Sequence, residues 1–320
     1  MLSRVADNLY WMSRYLERAE NAAALIDEHL NLMLDSASVS LDQRWTRVIA
    51  SLGMPEVEPG VEPSAVSVAH ALAFDSESQF SIVSCIASAR DNARQVREQA
   101  SSAMWEQLNR LYHAVRDAGV EEQWRSDPHA FLKAVRDGAY LFQGITDSTM
   151  NHDQGWRFIQ LGRYLERAGA LAIVLDVHFR TFAADPGQTE ELSEHLEWIG
   201  LLKSCSAFEG YCKVYTADVK AERVAEFLLL NEVFPHSLRF CVERIQNAVE
   251  ALPEGSRKAA ARLARHTGRL RATLSFSNID EIMTGGLHSW LDNVLRQCQL
   301  VHLAIRDVYI DYPIERAIAV

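Results

Sequence analysis

RYLER occupies residues 14–18, and the same pentapeptide returns at 163–167. Pairing residues 10–29 with 159–178 carries the match outward: Ala19 falls on Ala168, Asp27 on Asp176 and His29 on His178. Self-similarity of this kind marks an internal repeat and has to be read before any single motif. Around the first copy Val5, Leu9, Met12, Leu16, Ala19, Ala23, Ile26, Leu30 and Met33 follow steps of four and three, the a/d seam of a long packed helix. Around the second, Phe158, Leu161, Leu165, Ala168, Ala172, Leu175, Phe179 and Phe182 obey the same rule. Two helices therefore present the motif in one register.

With Leu16 and Leu165 at position a, Glu17 and Glu166 fall at b, Arg18 and Arg167 at c, and Arg14 and Arg163 at f, all off the seam. The neighbours on that second face are mostly apolar. Position b reads Tyr10, Glu17, Ala24 and then Ile159, Glu166, Ile173; position c reads Trp11, Arg18, Leu25 and then Gln160, Arg167, Val174. An apolar second face packs against another helix, and a desolvated Glu or Arg costs several kcal/mol unless it finds a partner. Two readings stay open. One is a buried structural ion-pair network. The other is a polar pocket, with Glu17 or Glu166 as candidate catalytic bases and Arg14, Arg18, Arg163 and Arg167 holding substrate carboxylate or phosphate oxygens.

RFCVER at 239–244 puts Glu243 and Arg244 at the same b and c positions, but its face neighbours (His236 and Glu250, Ser237 and Ala251) suit a solvated surface. SARDNARQVREQ adds Arg90, Arg94 and Arg97 at steps of four and three, a cationic stripe beside a seam of Ile86, Ala89, Ala93 and Val96. Such a stripe is solvated, with Arg94 able to pair with Glu98, or it binds an anion or supplies partners to Glu17 and Glu166. His29 and His178 match across the repeat and read as surface or satisfied core histidines; no metal site is expected.

The chain has 320 residues, 48% of them apolar, and a formal net charge of −11. That size supports a sizeable core. The acidic balance argues against a general nucleic-acid or anionic-membrane binder, which needs a surplus of basic surface. Five cysteines with no CxxC pair suggest reduced, buried thiols. Arg4 and Asp7 interrupt the N-terminal apolar residues, and no stretch approaches a membrane span, so the expected location is cytoplasmic. Apolar residues recur at helical spacing almost throughout, so the fold class is all-α, a helical bundle. Breakers fall at 53–63, 126–129, 184–191, 252–256 and 284–286, and Asp127 before Pro128 forms a helix start. One helical domain over 1–320 is expected, with related halves 1–150 and 151–320.

LSRVADNLYWMSRYLERAENAAALID, SARDNARQVREQASSAMWEQLN, GWRFIQLGRYLERAGALAIVLDV, LLKSCSAFEGYCKVY and VAEFLLLNEVFPHSLRFCV, in this order, resemble the bacterial alpha-E domain, named for its helices and its Glu-Arg motif. RDN at 90–92 departs from an expected Arg-Glu-Asn. The resemblance implies neighbourhood rather than mechanism: members accompany, or are fused to, circularly permuted ATP-grasp proteins, often with transglutaminase-like proteins nearby. It implies an accessory or partner subunit of an amide-forming ligation system, with ATP and magnesium supplied by the partner. An enzyme component accepting an activated acyl group, and a purely structural scaffold, are the alternatives.

Overall fold

The computed structural model describes residues 1–35, 41–54, 65–117, 119–182, 191–216, 218–253 and 257–311. In chain order the helices are α1 (Ser3–Asp35), α2 (Leu41–Ser51), α3 (Ala65–Phe74), α4 (Ile82–Gln95), α5 (Ser102–Ala114), α6 (Val120–Ser126), α7 (Pro128–Thr149) and α8 (Gln154–Phe182). They continue with α9 (Glu191–Ser204), α10 (Phe208–Tyr215), α11 (Ala221–Leu230), α12 (Leu238–Glu250), α13 (Arg257–Ser275), α14 (Ile279–Gly285) and α15 (Leu287–Ile305), closed by a π-helical turn at Arg306–Ile310. The described residues contain no strand, so the protein is an all-α helical bundle. None of these helices is long and apolar enough to cross a membrane.

The two helices that carry the pentapeptide, α1 and α8, are the longest and lie against each other at the centre. Both faces of each are apolar and both are buried: Leu9, Met12, Leu16 and Ile26 on the α1 seam, and Tyr10, Ala24 and Leu25 on its second face. A helix apolar all round belongs in the middle of a bundle. The crossing is set by small residues. A Cβ added at Gly162 would lie 2.2 Å from the Tyr10 carbonyl oxygen and 3.2 Å from the Ser13 Cβ. Gly162 thus lets the backbones touch, and Ser13 holds the matching register position one residue before the first RYLER.

The remaining helices form a shell. α4 and α7 pack on α1, while α12 and α15 pack on α8. α2 follows α1 in sequence but lies chiefly on α8, and α9 follows α8 but lies on α1. Local signals explain the starts of these elements. Ser81 caps α4 by accepting from the Ser84 amide, Ser237 caps α12 by accepting from the Phe240 amide, and Asp127 caps α7, with Pro128 in its first turn. Four residues beyond each serine cap a thiol donates to a backbone carbonyl, Cys85 to Gln79 and Cys241 to Pro235. α2 and α9 end in the same turn. Gly53 (φ +67°) and Ser206 (φ +50°) are left-handed, and each is followed by an amide that bonds back to Ile49 or Leu202. Of the sequence breakers, 55–63, 184–190 and 254–256 lie outside the described residues. All five cysteines are free, and all but Cys212 are buried.

Candidate functional site

The two RYLER segments meet across the α1–α8 crossing and exchange ion pairs. Glu17 on α1 receives both arms of Arg167 on α8, through Nε and, at 3.0 Å, through Nη2. Glu166 on α8 receives the Nε of Arg14 at 2.6 Å and the Nε of Arg18 at 2.7 Å, both from α1. Each motif's glutamate is thus neutralised by the other motif's arginines, and charge-assisted pairs of this geometry are strong. The pairs form a partly buried ion-pair network, and each pair also borders a cavity.

On the Glu17 side the cavity is narrow, about 30 Å³, and is bordered by Glu17, Glu20, Asn21, Arg167, Ser204 and His236. Glu20 lies one turn along α1, its Oε2 4.0 Å from the Nη2 of Arg167 and 3.0 Å from the Nε2 of Gln143 on α7, which also reaches Glu17 at 3.4 Å. Burial and the adjacent Glu17 charge push the Glu20 carboxyl up to about 8, against the pull of Arg167, Arg163 and Gln143. Glu20 therefore keeps its proton at neutral pH. Burial together with the Arg167 and Arg136 charges drives His236 well below its usual value, so it is neutral. Arg167 is held further by the Pro235 carbonyl at 3.2 Å.

On the Glu166 side the pocket is larger, about 210 Å³, and is bordered by Arg14, Arg18, Asn21, Ser51, Phe80 and Ile173. Burial would raise the Glu166 carboxyl, but Arg14 and Arg18 outweigh it and hold the group below the usual carboxylate range. The Nη1 of Arg14 also lies 3.2 Å from the Tyr10 hydroxyl and 3.1 Å from His302 Nδ1, and its guanidinium sits on the Trp11 ring. Arg18 lies between the Tyr15 and Phe80 rings. The two sides are contiguous, since Asn21 and Ala170 border both cavities.

The other sequence-selected residues are distributed unevenly. Arg163 is buried, and its charge acts on Glu20. The α4 stripe does not reach either glutamate. Arg90 donates to Asn109 at 2.6 Å and lies over the Tyr112 and Trp105 rings, Arg97 lies over Trp105, and Arg94 pairs with Asp91 rather than Glu98. Trp105 and Tyr112 of α5 lie against Arg90 and Arg97, and Arg94 stays exposed. In α12, Glu243 meets Arg271 at the surface and Arg244 covers Phe240, as a solvated face requires. His29 donates its Nδ1–H to the Leu25 carbonyl at 2.9 Å, and burial lowers its pKa to about 3. His178 packs on Phe182 and Trp198. No group of three potential ligands could hold a metal ion among the described residues.

Sequence reasoning missed Glu20, Gln143, Tyr10 with His302, and a buried bridge of Arg44 and Arg47 to Glu197. One signal was present: the repeat breaks at residue 20, where Glu stands opposite Gly169.

Residues 1–310 match the family model Alpha-E, described as a predicted alpha-helical domain with a conserved ER motif. Uncharacterized proteins of Mycobacterium bovis and Mycobacterium tuberculosis are 24% identical over 327 residues, covering 95% of this chain but 36% of their own length. The chain thus spans about a third of those relatives. No solved structure matches. The Glu-Arg pairs interlocked at the helix crossing, and a match that runs from the first residue to Val308, Tyr309 and Ile310, make this chain a member of the Alpha-E family.

Proposed function

We propose that this chain is a partner subunit of an ATP-dependent carboxylate–amine ligation system, presenting a Glu/Arg polar site to a catalytic protein of the ATP-grasp class. The observation that carries this reading is the reciprocal engagement of Glu17 and Glu166 by Arg167, Arg14 and Arg18. Arg14 and Arg18 hold the Glu166 carboxyl below the usual carboxylate range, which makes it a poor proton acceptor. The motif therefore works as a crosspiece that fixes the shape of a surface, with the ATP and magnesium apparatus belonging to the partner. Relatives in which a region like this one is about a third of a longer protein support a body that serves another. A cytoplasmic location, and a further transglutaminase-like partner, belong to the same proposal.

The test is co-expression with a circularly permuted ATP-grasp protein, followed by ATP turnover with and without candidate carboxylates and amines. The isolated chain is expected to show none, and the complex at least about tenfold more than the ATP-grasp protein alone, equivalent to about 1.4 kcal/mol of barrier. Turnover by the chain alone, or failure of the two to associate, overturns the proposal.

Glu20 favours a second reading, an enzyme component for acyl transfer. A carboxyl that keeps its proton to about pH 8 is suited to general-acid work. In that reading proton handling belongs to Glu20, while Glu17 and Glu166 position the arginines. Loss of turnover in the complex with Glu20→Gln, without loss of association, would select it.

A further inference from the structure

We propose that the larger pocket binds a carboxylate carried on a short apolar body. The two sides of the crossing differ in what stands beside the c-position arginine. Next to Arg167 stands Glu20, whose carboxyl fills that space. In the same register next to Arg18 stands Gly169, whose Cβ direction opens onto nothing within 4 Å. The volume that Glu20 occupies on one side is pocket on the other.

The charges differ in the same sense. Arg14 and Arg18 share the single carboxylate of Glu166, which leaves one net positive charge on the pocket wall. Both arginines use Nε on Glu166, and the two Nη groups of Arg18 have no hydrogen-bond acceptor among the described residues. A guanidinium edge of this kind matches a carboxylate in the plane. The Arg18 ring contacts with Tyr15 and Phe80 fix the direction of that edge. Leu52, Phe80, Leu165 and Ile173 make most of the remaining wall apolar, with Asn21 and Ser51 as its uncharged polar members, so the group behind the carboxylate is a hydrocarbon of a few carbons rather than a second anion. A mostly apolar wall and one spare positive charge disfavour a phosphate dianion.

This inference deepens the partner-subunit reading by naming the class of molecule presented. Its test needs no partner, so the two fail separately. The purified chain is titrated near neutral pH with 3-methylbutanoate, with the neutral isostere 3-methylbutanamide, and with inorganic phosphate, following the Gly169 amide and the Arg18 Nε–H by NMR. Saturable shifts at both probes with 3-methylbutanoate, and none with the amide, are expected. Arg18→Lys, which keeps the charge and loses the planar fork, is expected to weaken binding at least about tenfold. Gly169→Glu installs the carboxyl that the other side already has; it is expected to fold and to abolish binding. Equal response to the amide, response to phosphate alone, no saturable response to 3-methylbutanoate, or unchanged affinity in either variant overturns the proposal.

Discussion

On one side of the helix crossing Glu17 meets Arg167 with a second carboxyl, Glu20, beside it; on the other Glu166 meets two arginines and no second carboxyl. The pentapeptides are identical and the helices touch, so the difference comes from residues just outside the motif. Glu20 against Gly169 makes one side a closed acid site and the other an open cationic pocket. Tyr10 against Ile159 adds to it, because only Tyr10 offers a hydroxyl to the motif's first arginine. The repeated letters supply a rigid frame, and the unrepeated ones supply the chemistry.

The largest effect that would break this contrast comes from removing each glutamate in turn. Glu166→Gln leaves Arg14 and Arg18 with no anion and is expected to cost about 3–5 kcal/mol in urea denaturation. Glu17→Gln is expected to cost less, about 1–3 kcal/mol, because Glu20 can ionise and take up Arg167. Equal costs would mean that Glu20 is no reserve. A comparable loss is expected at the crossing itself. Gly162→Ala drives a methyl into the Tyr10 carbonyl and should cost about 3 kcal/mol or more, whereas Gly169→Ala, seven residues on and facing open space, should stabilise by up to about 1 kcal/mol.

The two sides should also answer to pH with opposite signs. The folded-state carboxyl of Glu20 is raised above its unfolded value, so the folded chain holds the extra proton and loses stability as pH rises toward about 8. Glu166 is lowered, so its contribution is present above the ordinary carboxylate range and is lost only as pH falls below it. The partly buried His29, His178, His236 and His302 are lowered too, so their contribution to stability is lost as pH falls below the usual histidine value. The difference between Glu20→Gln and the unmodified chain isolates the first effect: Glu20→Gln should gain relative stability between about pH 6 and 8, at up to about 1.4 kcal/mol per pH unit. A flat difference would place Glu20 in the ordinary range. The smallest effect belongs to the surface look-alike: Glu243→Gln should leave the denaturation midpoint unchanged, since its partner Arg271 lies in solvent.

The central helices were legible because a seam and an apolar second face both leave a periodic trace, and the charges that interrupted that face announced a site. Asp127 with Pro128 was legible because capping is local. The pairing was not. Nothing in the order of letters says that Glu17 reaches Arg167 rather than an arginine of its own helix, or that Arg90 turns to the Tyr112 and Trp105 rings. Those choices depend on a crossing set by Gly162, a residue whose value lies in the side chain it lacks. Glu20 was passed over because it stands outside the repeated letters, although that departure from symmetry was itself the signal.

The exchange of α2 onto α8 and of α9 onto α1 has a kinetic consequence. α2 gains its main docking surface only when α8 arrives, after residues 52–153 have been closed into a loop. α9, by contrast, emerges to find α1 already made. The rate-limiting step of folding is then expected to be a long-range closure rather than the consolidation of either end. A chain severed between Thr149 and Gln154 gives two fragments, each with an orphaned helix that only the other can seat. Mixed together they should reassemble, and apart neither should melt cooperatively.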